Sequence, residues 1–179
     1  MLIARLAPSH AGSHPRLMRP RIDIAPATVA DVPLVGALIR ELAEYEREPE
    51  SAVATDADLQ AALFGTPPAA EVLLARIDDE AVGFALFFHN FSTWTGKRGI
   101  YLEDLYVRPS ARSVGAGRVL LAALARIAVE RDCPRLDWAV LEWNELAIGF
   151  YHRIGAEMQT DWRIFRLSGD ALGRLGYGG

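Results

Sequence analysis

A strand that turns directly into a helix at a glycine-rich turn is the feature that most constrains this chain. The β-rich run "YLEDLYV" at 101–107 is followed by "RSVGAG" at 112–117 and then by an apolar run. That run stops before Pro134 and repeats apolar residues at helical spacing, at Leu120, Leu124, Ile127 and Ala128. A strand–turn–helix unit of this kind belongs to a sheet whose faces are covered by helices.

The glycine turn has the residue types of an anion-binding site. The first N–H groups of a helix have no partner within the helix, and glycines let a phosphate approach them closely. The turn is neither of two common nucleotide loops, because it lacks a Gly-Lys-Ser/Thr ending and because Leu120 stands where G-x-G-x-x-G requires glycine. What remains is Arg-x-x-Gly-x-Gly, formed by Arg112, Gly115 and Gly117, or an ordinary turn between a strand and a helix.

The rest of the chain alternates like a mixed sheet flanked by helices. Before the glycine turn, apolar spacing and turn residues predict a strand at 21–27, a helix at 32–46 opened by a Thr28/Asp31 capping box, a helix between Thr55 and Gly65, and antiparallel strands at 71–77, 81–90 and 98–107. After the helix that follows the turn, they predict a strand at 135–141, a helix from Asn144 to Ile154 and a terminal strand near 161–167. This order predicts an α+β fold, or α/β by a looser convention, with a mixed and mainly antiparallel central sheet.

Composition limits the class of protein. With 179 residues, 51% hydrophobic and 23% charged, the chain fits one soluble domain, which we expect at 21–179 after a flexible leader at 1–20. The leader has three arginines and no acid, so the formal net charge of −4 becomes −7 for the remainder. An acidic body argues against nucleic-acid binding and suits a small cationic partner. A single cysteine and the lack of a long apolar stretch predict a cytoplasmic protein with no membrane partner.

Five sequence motifs follow one another in the order found in a known family. They are "ELAEYE", "WTGK", "YLEDLYV", "RSVGAG" and "EWNELAIGFYHRIGA". On these motifs the chain, from about Ile22 to Leu175, resembles the GNAT superfamily of acyl-CoA-dependent N-acetyltransferases, and within it the diamine acetyltransferases of the spermidine/spermine and thialysine type. Two departures are Ser113, where that family usually has glycine, and a shorter segment between Ala156 and Trp162.

The resemblance implies acetyl-CoA as co-substrate and a homodimer with the active site near the subunit interface. It also implies that backbone groups of Leu105 and Val107, at a bulge in the strand, hold the pantetheine arm and the acetyl carbonyl. The cofactor-binding residues expected from it are Leu105, Tyr106, Val107, Arg112, Ser113, Val114, Gly115, Ala116, Gly117, Arg118 and Asn144.

Acetyl transfer from a thioester to an amine requires a base for the ammonium and an acid for the departing thiolate. Glu103 and Asp104 are the acidic residues of the central strand. Neighbours in a regular strand point to opposite faces, so only one of the two faces the reaction centre unless a bulge intervenes. The resemblance favours Glu103 as the base, directly or through water, with Asp104 as the alternative or as a contact to the cation. The competing interpretation is a pair of solvated strand residues.

Tyr151 is the candidate acid. Asn144 and Tyr151 are seven residues apart, or two helical turns, so their side chains share one face. The resemblance implies that Tyr151 protonates the thiolate and that Asn144 caps the helix and contacts the pantetheine arm. The alternative for Tyr151 is a tyrosine at the core edge with a satisfied hydroxyl.

The acceptor side is less constrained. The resemblance implies that Tyr45 and Glu46 contact the amine, although they also fit the fraying end of a surface helix. Trp94 fits either a wall for an aliphatic chain and its cation, or packing beneath its own hairpin. We expect a polyamine, diamine or thialysine-like acceptor, bound by Tyr45, Glu46, Trp94, Glu103 and Asp104.

Three other functions fit parts of the sequence. An enzyme for another amine class would acetylate a protein amino terminus, an aminoglycoside or an arylalkylamine. The others are a non-catalytic acyl-CoA-binding module and a module for a different phosphorylated ligand. His89 and His152 have no carboxylate or histidine at metal-ligand spacing, which predicts no metal site. Cys133, before Pro134, fits a structural residue, with a nucleophilic role left open.

Overall fold

The computed structural model describes residues 20–178, except for the side chain of Ser113. Apart from Pro20, the leader expected at 1–20 lies outside the described residues. The chain forms two compact units, one ending at Ala139 and the other beginning at Val140. Among the described residues, no helix has both the length and the apolar character needed to cross a membrane.

The first unit is a five-stranded sheet with three helices. Its strands lie side by side in chain order: β1 Asp23–Pro26, β2 Glu71–Ile77, β3 Glu80–Ser92, β4 Lys97–Val107 and β5 Leu136–Trp138. β1 to β4 are antiparallel neighbours, and β5 joins β4 in parallel. The helices are α1 Val32–Tyr45, α2 Asp56–Phe64 and α3 Ala116–Glu130. These elements confirm the α+β class and the predicted antiparallel meander.

Side-chain hydrogen bonds mark the start of the 3-10 turn before α1 and the start of α2. The Asp31 carboxylate accepts the backbone N–H of Thr28 at 2.8 Å and closes a 3-10 turn that leads into α1. At α2, the Thr55 hydroxyl accepts the N–H of Asp58 at 3.2 Å, and the Asp58 carboxylate accepts the N–H of Thr55 at 2.9 Å. Both predicted helix starts are therefore confirmed, with backbone donors satisfied by side chains.

α1 and α3 cover opposite faces of the sheet. One face carries a buried cluster made by α1, α2 and the central strands: Val35, Leu38, Leu42, Leu63, Val72, Leu74, Phe84 and Tyr106. On the other face, Gly117 of α3 lies beside Val107, the strand neighbour of Tyr106. Strands buried on both faces read as continuous apolar runs, which accounts for "VLLA" in β2 and "AVGFALFF" in β3.

β4 carries a bulge at its two acidic residues. Asp104 pairs with Leu86 of β3, while Leu102 pairs with Phe87, so Glu103 is the extra residue. A bulge bends its strand and increases the local twist. It also changes which neighbouring side chains lie near one another, so the strict alternation of a regular strand no longer separates Glu103 from Asp104.

β5 is shorter than predicted. The strand expected at 135–141 covers only Leu136–Trp138, and its pairing with β4 ends at Leu102. The next residue of β4 is the bulge, where the strand changes direction. The bend at the bulge accounts for the end of the pairing with β5.

The second unit contains the helices α4 Glu145–Arg153 and α5 Gly169–Tyr177. α4 confirms the helix predicted from Asn144 to Ile154, with these two residues as its caps. The terminal strand predicted near 161–167 is wrong, because these residues form no strand. Their alternating pattern favours a strand, but a strand also needs a neighbour, and none of the described strands pairs with this segment.

α5 has no counterpart in the sequence-based prediction. Three glycines lie within its nine residues, and glycine has low helix propensity. The signals that favour it are weaker: Ser168 at the N-cap and Asp170 in the first turn.

Candidate active site

The end of β4 presents an open backbone edge. β4 continues for five residues after its pairing with β5 ends at Leu102, and among the described strands none pairs with that stretch on the β5 side. On the β3 side, the Arg108 N–H donates to the Val82 carbonyl at 2.8 Å. Hydrogen-bonded and non-hydrogen-bonded residues alternate along an antiparallel pair, so Leu105 and Val107 direct their N–H and C=O groups away from β3. An extended amide chain can add to such an edge as a further strand.

The glycine turn begins α3 directly after this edge. Pro109–Val114 form a 3-10 turn, and Gly115 has φ +98°, in the left-handed region that favours glycine. α3 then starts at Ala116, with Gly117 in its first turn and no acidic residue beside the free N–H groups. A left-handed residue followed by a helix N-terminus is the backbone geometry of an anion-binding turn.

The two basic residues of the turn have different neighbours. Arg118 lines a groove of about 380 Å³ between α3 and β1. Arg112 folds back instead, and its Nε donates to the Val107 carbonyl at 2.9 Å. Its guanidinium carbon lies 4.4 Å from the ring centre of Tyr45 and 6.0 Å from that of Tyr106. Residues predicted separately as amine and cofactor contacts thus form one cluster.

Close packing holds the end of β4 against β3. A Cβ atom at Gly83 would lie 2.4 Å from the Tyr106 carbonyl oxygen and 3.1 Å from Val107 Cα. Any larger residue at position 83 would push the strands apart where the edge opens. Sequence analysis missed this position, because "AVGFALFF" has the pattern of an ordinary buried strand. The lone glycine within it is the signal that could have found it.

Three carboxylates gather near the bulge. Asp104 is half-buried, and desolvation together with the negative charges of Glu103 and Glu46 raises its pKa to about 6. Burial also raises the pKa of Glu46, which caps the end of α1. Glu103 itself is exposed. The bulge therefore places a half-buried carboxyl group with a raised pKa beside an exposed one.

A charged network behind these groups joins α1 to the end of β4. The Arg108 guanidinium donates to the two carboxylate oxygens of Glu41 at 2.7 and 3.0 Å, and to the Ala81 carbonyl at 2.8 Å. The bond from Arg108 is the main reason that the pKa of Glu41 lies below its usual value, and a bond from Tyr106 adds to it. Sequence analysis missed Glu41 and Arg108. The available signal is that Glu41 precedes Tyr45 by four residues, on the same helix face.

Asn144 and Tyr151 lie in the second unit. Asn144 Oδ1 accepts the N–H of Ala147 at 3.2 Å and begins α4, so its predicted role as a helix cap is confirmed. Tyr151 is half-buried two turns later, with its ring centre 5.5 Å from that of Phe150. Their roles toward the pantetheine arm and the thiolate stay predictions.

Three other residues singled out in the sequence have defined surroundings. Trp94 is 88% exposed in the turn between β3 and β4, which rules out packing beneath its own hairpin. His89 Nε2 lies 3.0 Å from an Arg131 nitrogen, and the sulfur of the buried Cys133 lies 3.8 Å from His89 Nδ1. Within residues 20–178, no group of three or more His, Cys, Asp or Glu side chains is placed to hold a metal ion.

Comparison with known proteins agrees with this geometry. The family model for the acetyltransferase (GNAT) family matches residues 36–156. Thialysine N-epsilon-acetyltransferase from Bos taurus is 38% identical over 149 residues, covering 77% of this chain and 87% of that protein. L-ornithine N5-acetyltransferase NATA1 from Arabidopsis thaliana is 32% identical over 191 residues, covering 82% of this chain and 84% of that protein. Among solved structures, an integron cassette protein from V. cholerae has a TM-score of 0.74 and 31% identity, covering 88% of this chain and 98% of that one.

An open strand edge that leads into an anion-binding turn defines a protein suited to a long ligand with both amide and phosphate groups. The family match gives that site its chemistry: the chain belongs to the GNAT family of acetyltransferases. It is an enzyme that acetylates amines, and members of this family use acetyl-CoA as co-substrate.

Proposed function

We propose that this protein transfers the acetyl group of acetyl-CoA to a primary amine of a polyamine, a diamine or a thialysine-like amino acid, directly within a ternary complex. The observation that carries the proposal is the open edge of β4 at Leu105 and Val107, which leads straight into the N-terminus of α3. The amides of a pantetheine arm fit such an edge, and a pyrophosphate fits such a helix N-terminus. The residues present therefore fit acetyl-CoA.

Asp104 has the properties of the base. A catalytic base works best when its pKa lies close to the working pH. A pKa raised to about 6 brings Asp104 toward that range, while Glu103 is exposed to solvent. We therefore propose that Asp104 removes the proton, although the sequence alone favoured Glu103. Glu103 is then a contact to the cation.

The transfer balances with one base and one acid. Asp104 first removes a proton from the ammonium group and passes it to water. The neutral nitrogen then forms a bond to the acetyl carbon, the carbon–sulfur bond breaks, and the second nitrogen proton passes to Asp104. Tyr151 gives its phenolic proton to the departing thiolate, and backbone N–H groups at the β4 edge polarise the acetyl carbonyl. The proposal includes no metal ion.

The acceptor is a small cation. Glu46, Glu103 and Asp104 concentrate negative charge at one place, where a compact ammonium group is favoured. Two relatives are named for thialysine and L-ornithine, which supports a small amine. Because one face of the Tyr45 ring is covered by Arg112, Glu46 is the better acceptor contact of the two. Trp94 is exposed in the turn between β3 and β4, and we propose that its indole packs against the aliphatic chain of the acceptor.

The proposal extends to the assembly: one acetyltransferase domain at 21–179, forming a cytoplasmic homodimer without nucleic-acid or membrane partners. The family match at 36–156 crosses the boundary between the two units, which supports a single domain. The net charge of −4 supports the exclusion of nucleic acid, and the single cysteine supports the cytoplasm. Sedimentation at several protein concentrations tests the dimer.

The test is the initial rate of thiol release from acetyl-CoA with spermidine, spermine, putrescine, thialysine, L-ornithine and an aminoglycoside. Direct transfer predicts intersecting lines when both substrates are varied, whereas an acetyl-enzyme intermediate gives parallel lines. Tyr151→Phe should lower kcat by about a hundredfold or more. Tyr177→Phe is the matched control, because that side chain is 95% exposed. Tight CoA binding with no thiol release on any amine would make the chain an acyl-CoA-binding module instead.

A further inference from the structure

Arg112 is held by neighbours on the protein itself. Its Nε donates to the Val107 carbonyl at 2.9 Å, and its guanidinium stacks over the Tyr45 ring at 4.4 Å. The Tyr106 ring lies on the same side at 6.0 Å. A guanidinium over an aromatic face is attracted by the electron-rich ring, and a hydrogen bond from a charged donor is stronger than a neutral one. Together these contacts fix the direction of the side chain.

The Val107 carbonyl is a group of the open edge. It points away from β3, on the side of β4 where a pantetheine arm would lie. By taking this acceptor, Arg112 fixes the last residue of β4 relative to the turn that begins α3. The same side chain also connects that residue to Tyr45, at the end of α1 and next to Glu46.

We propose that Arg112 is a positioning residue, fixed by Tyr45, that sets the end of β4 for the acyl-bearing arm and does not act as a phosphate ligand. Tyr45 is then a positioning residue as well, and it links the acceptor side of the site to the acyl-CoA side. This inference rests on the proposed function, because it assumes that the edge of β4 binds the arm of acetyl-CoA.

Two thioesters separate positioning from phosphate binding. Acetyl-CoA carries the arm and the phosphates, whereas S-acetylpantetheine carries the same arm and thioester without pyrophosphate or nucleotide. A positioning role predicts that Arg112→Gln raises KM for both thioesters by the same factor, about tenfold for a lost charged hydrogen bond. Tyr45→Leu should raise both KM values by about two- to fivefold, the scale of an exposed cation–π contact, with the smaller effect on kcat. Tyr45→Phe, which keeps the ring, should restore the affinity that Leu loses.

The double variant completes the test. If Tyr45 acts through Arg112, Tyr45→Leu in the Arg112→Gln background should add nothing further to KM. A loss that Arg112→Gln shows with acetyl-CoA alone would overturn the inference in favour of a phosphate contact, as would additive effects in the double variant. If Tyr45→Leu does not fold, as judged by thermal melting, the comparison of the two thioesters with Arg112→Gln decides. A wild-type chain that binds neither thioester would refute the proposed function itself, and the inference with it.

Discussion

The raised pKa of Asp104 makes activity depend on pH. A base must be deprotonated, so kcat/KM should fall about tenfold per pH unit below about pH 6, where this carboxyl takes up its proton. Asp104→Asn should lower kcat/KM by about a hundredfold or more and remove this acid limb. Glu103→Gln should move the limb to lower pH, because one of the charges that raise the pKa of Asp104 is gone. If the fall of kcat/KM at low pH disappears in Glu103→Gln and remains in Asp104→Asn, the base is Glu103.

The same pKa shift affects folding stability. The Asp104 carboxyl binds its proton more tightly in the folded chain, where its pKa is about 6, than at its ordinary value of 3.8. Folding is therefore disfavoured by up to about 3 kcal/mol above about pH 6, and this cost fades as the pH falls toward 4. Asp104→Asn should raise the free energy of unfolding by that amount at about pH 8 and hardly at all at about pH 3.5. Urea denaturation at both pH values measures it, and an equal effect at both would contradict the assignment.

For single residues, the sequence predicted which side chains carry the chemistry, but it did not predict which distant residues they contact. The acidic pair at the bulge and the turn glycines were selected by residue type and motif. The contact between Arg112 and Tyr45 was not predicted, because the two residues lie far apart in the chain and no local pattern encodes a stack between distant residues. The surroundings of Gly83 and Trp94 could not be predicted from the sequence either. A glycine needed for close approach and an indole left in solvent both depend on neighbours that only the folded chain supplies.

The turn between β4 and α3 depends on a left-handed glycine. Gly115→Ala should lower stability by about 1–2 kcal/mol, because an L residue is disfavoured at φ +98°. It should also raise the Kd for CoA by about tenfold, the effect of one lost hydrogen bond to a charged group. Gly96→Ala is the matched control: Gly96 has φ +65° in the turn between β3 and β4, so this variant should lose similar stability. Calorimetry that finds equal loss of CoA affinity in both variants would rule out a specific role for the turn.

The close packing of β3 against β4 depends on Gly83 in β3. Gly83→Ala places a Cβ 2.4 Å from the Tyr106 carbonyl oxygen, so the strands must separate locally. We expect a loss of about 1–3 kcal/mol of stability, the usual cost of overpacking, together with weaker binding of S-acetylpantetheine. Urea denaturation and thioester titration measure the two effects. A variant as stable as the wild type, with unchanged binding, would show that the strand pair accommodates the added Cβ atom and would contradict this prediction.

The helices and strands that were predicted correctly have both a regular apolar pattern and a neighbouring element to pack or pair with. α1, α2 and the meander of β2, β3 and β4 have caps, turn residues and apolar patterns that agree with each other. The segment at 161–167 has a strand pattern without a described strand beside it, and α5 forms despite its glycines. A bulge in β4 was expected only from resemblance, and its position at Glu103 was not predicted, because "YLEDLYV" does not show where the register shifts.

Charge acts at the scale of the whole molecule. The chain carries a net charge of −4, and three carboxylates concentrate at the bulge, so a polycationic acceptor is attracted over long range. The KM for spermidine should therefore rise severalfold as salt is raised from about 0.05 to 0.5 M, where screening shortens the reach of these charges. The KM for acetyl-CoA serves as the control, because this co-substrate is an anion. A spermidine KM that does not change with salt would indicate an acceptor recognised by other means.

We expect the open edge of β4 and the glycine turn to hold acyl-CoA together. Hydrogen–deuterium exchange with and without CoA tests it most directly. With CoA bound there, the amides of Leu105, Val107 and the first turn of α3 should exchange more slowly, while the amide of Tyr106, which points toward β3, should change little. Slower exchange confined to other places, such as the groove between β1 and α3, with Leu105 and Val107 unchanged, would contradict it.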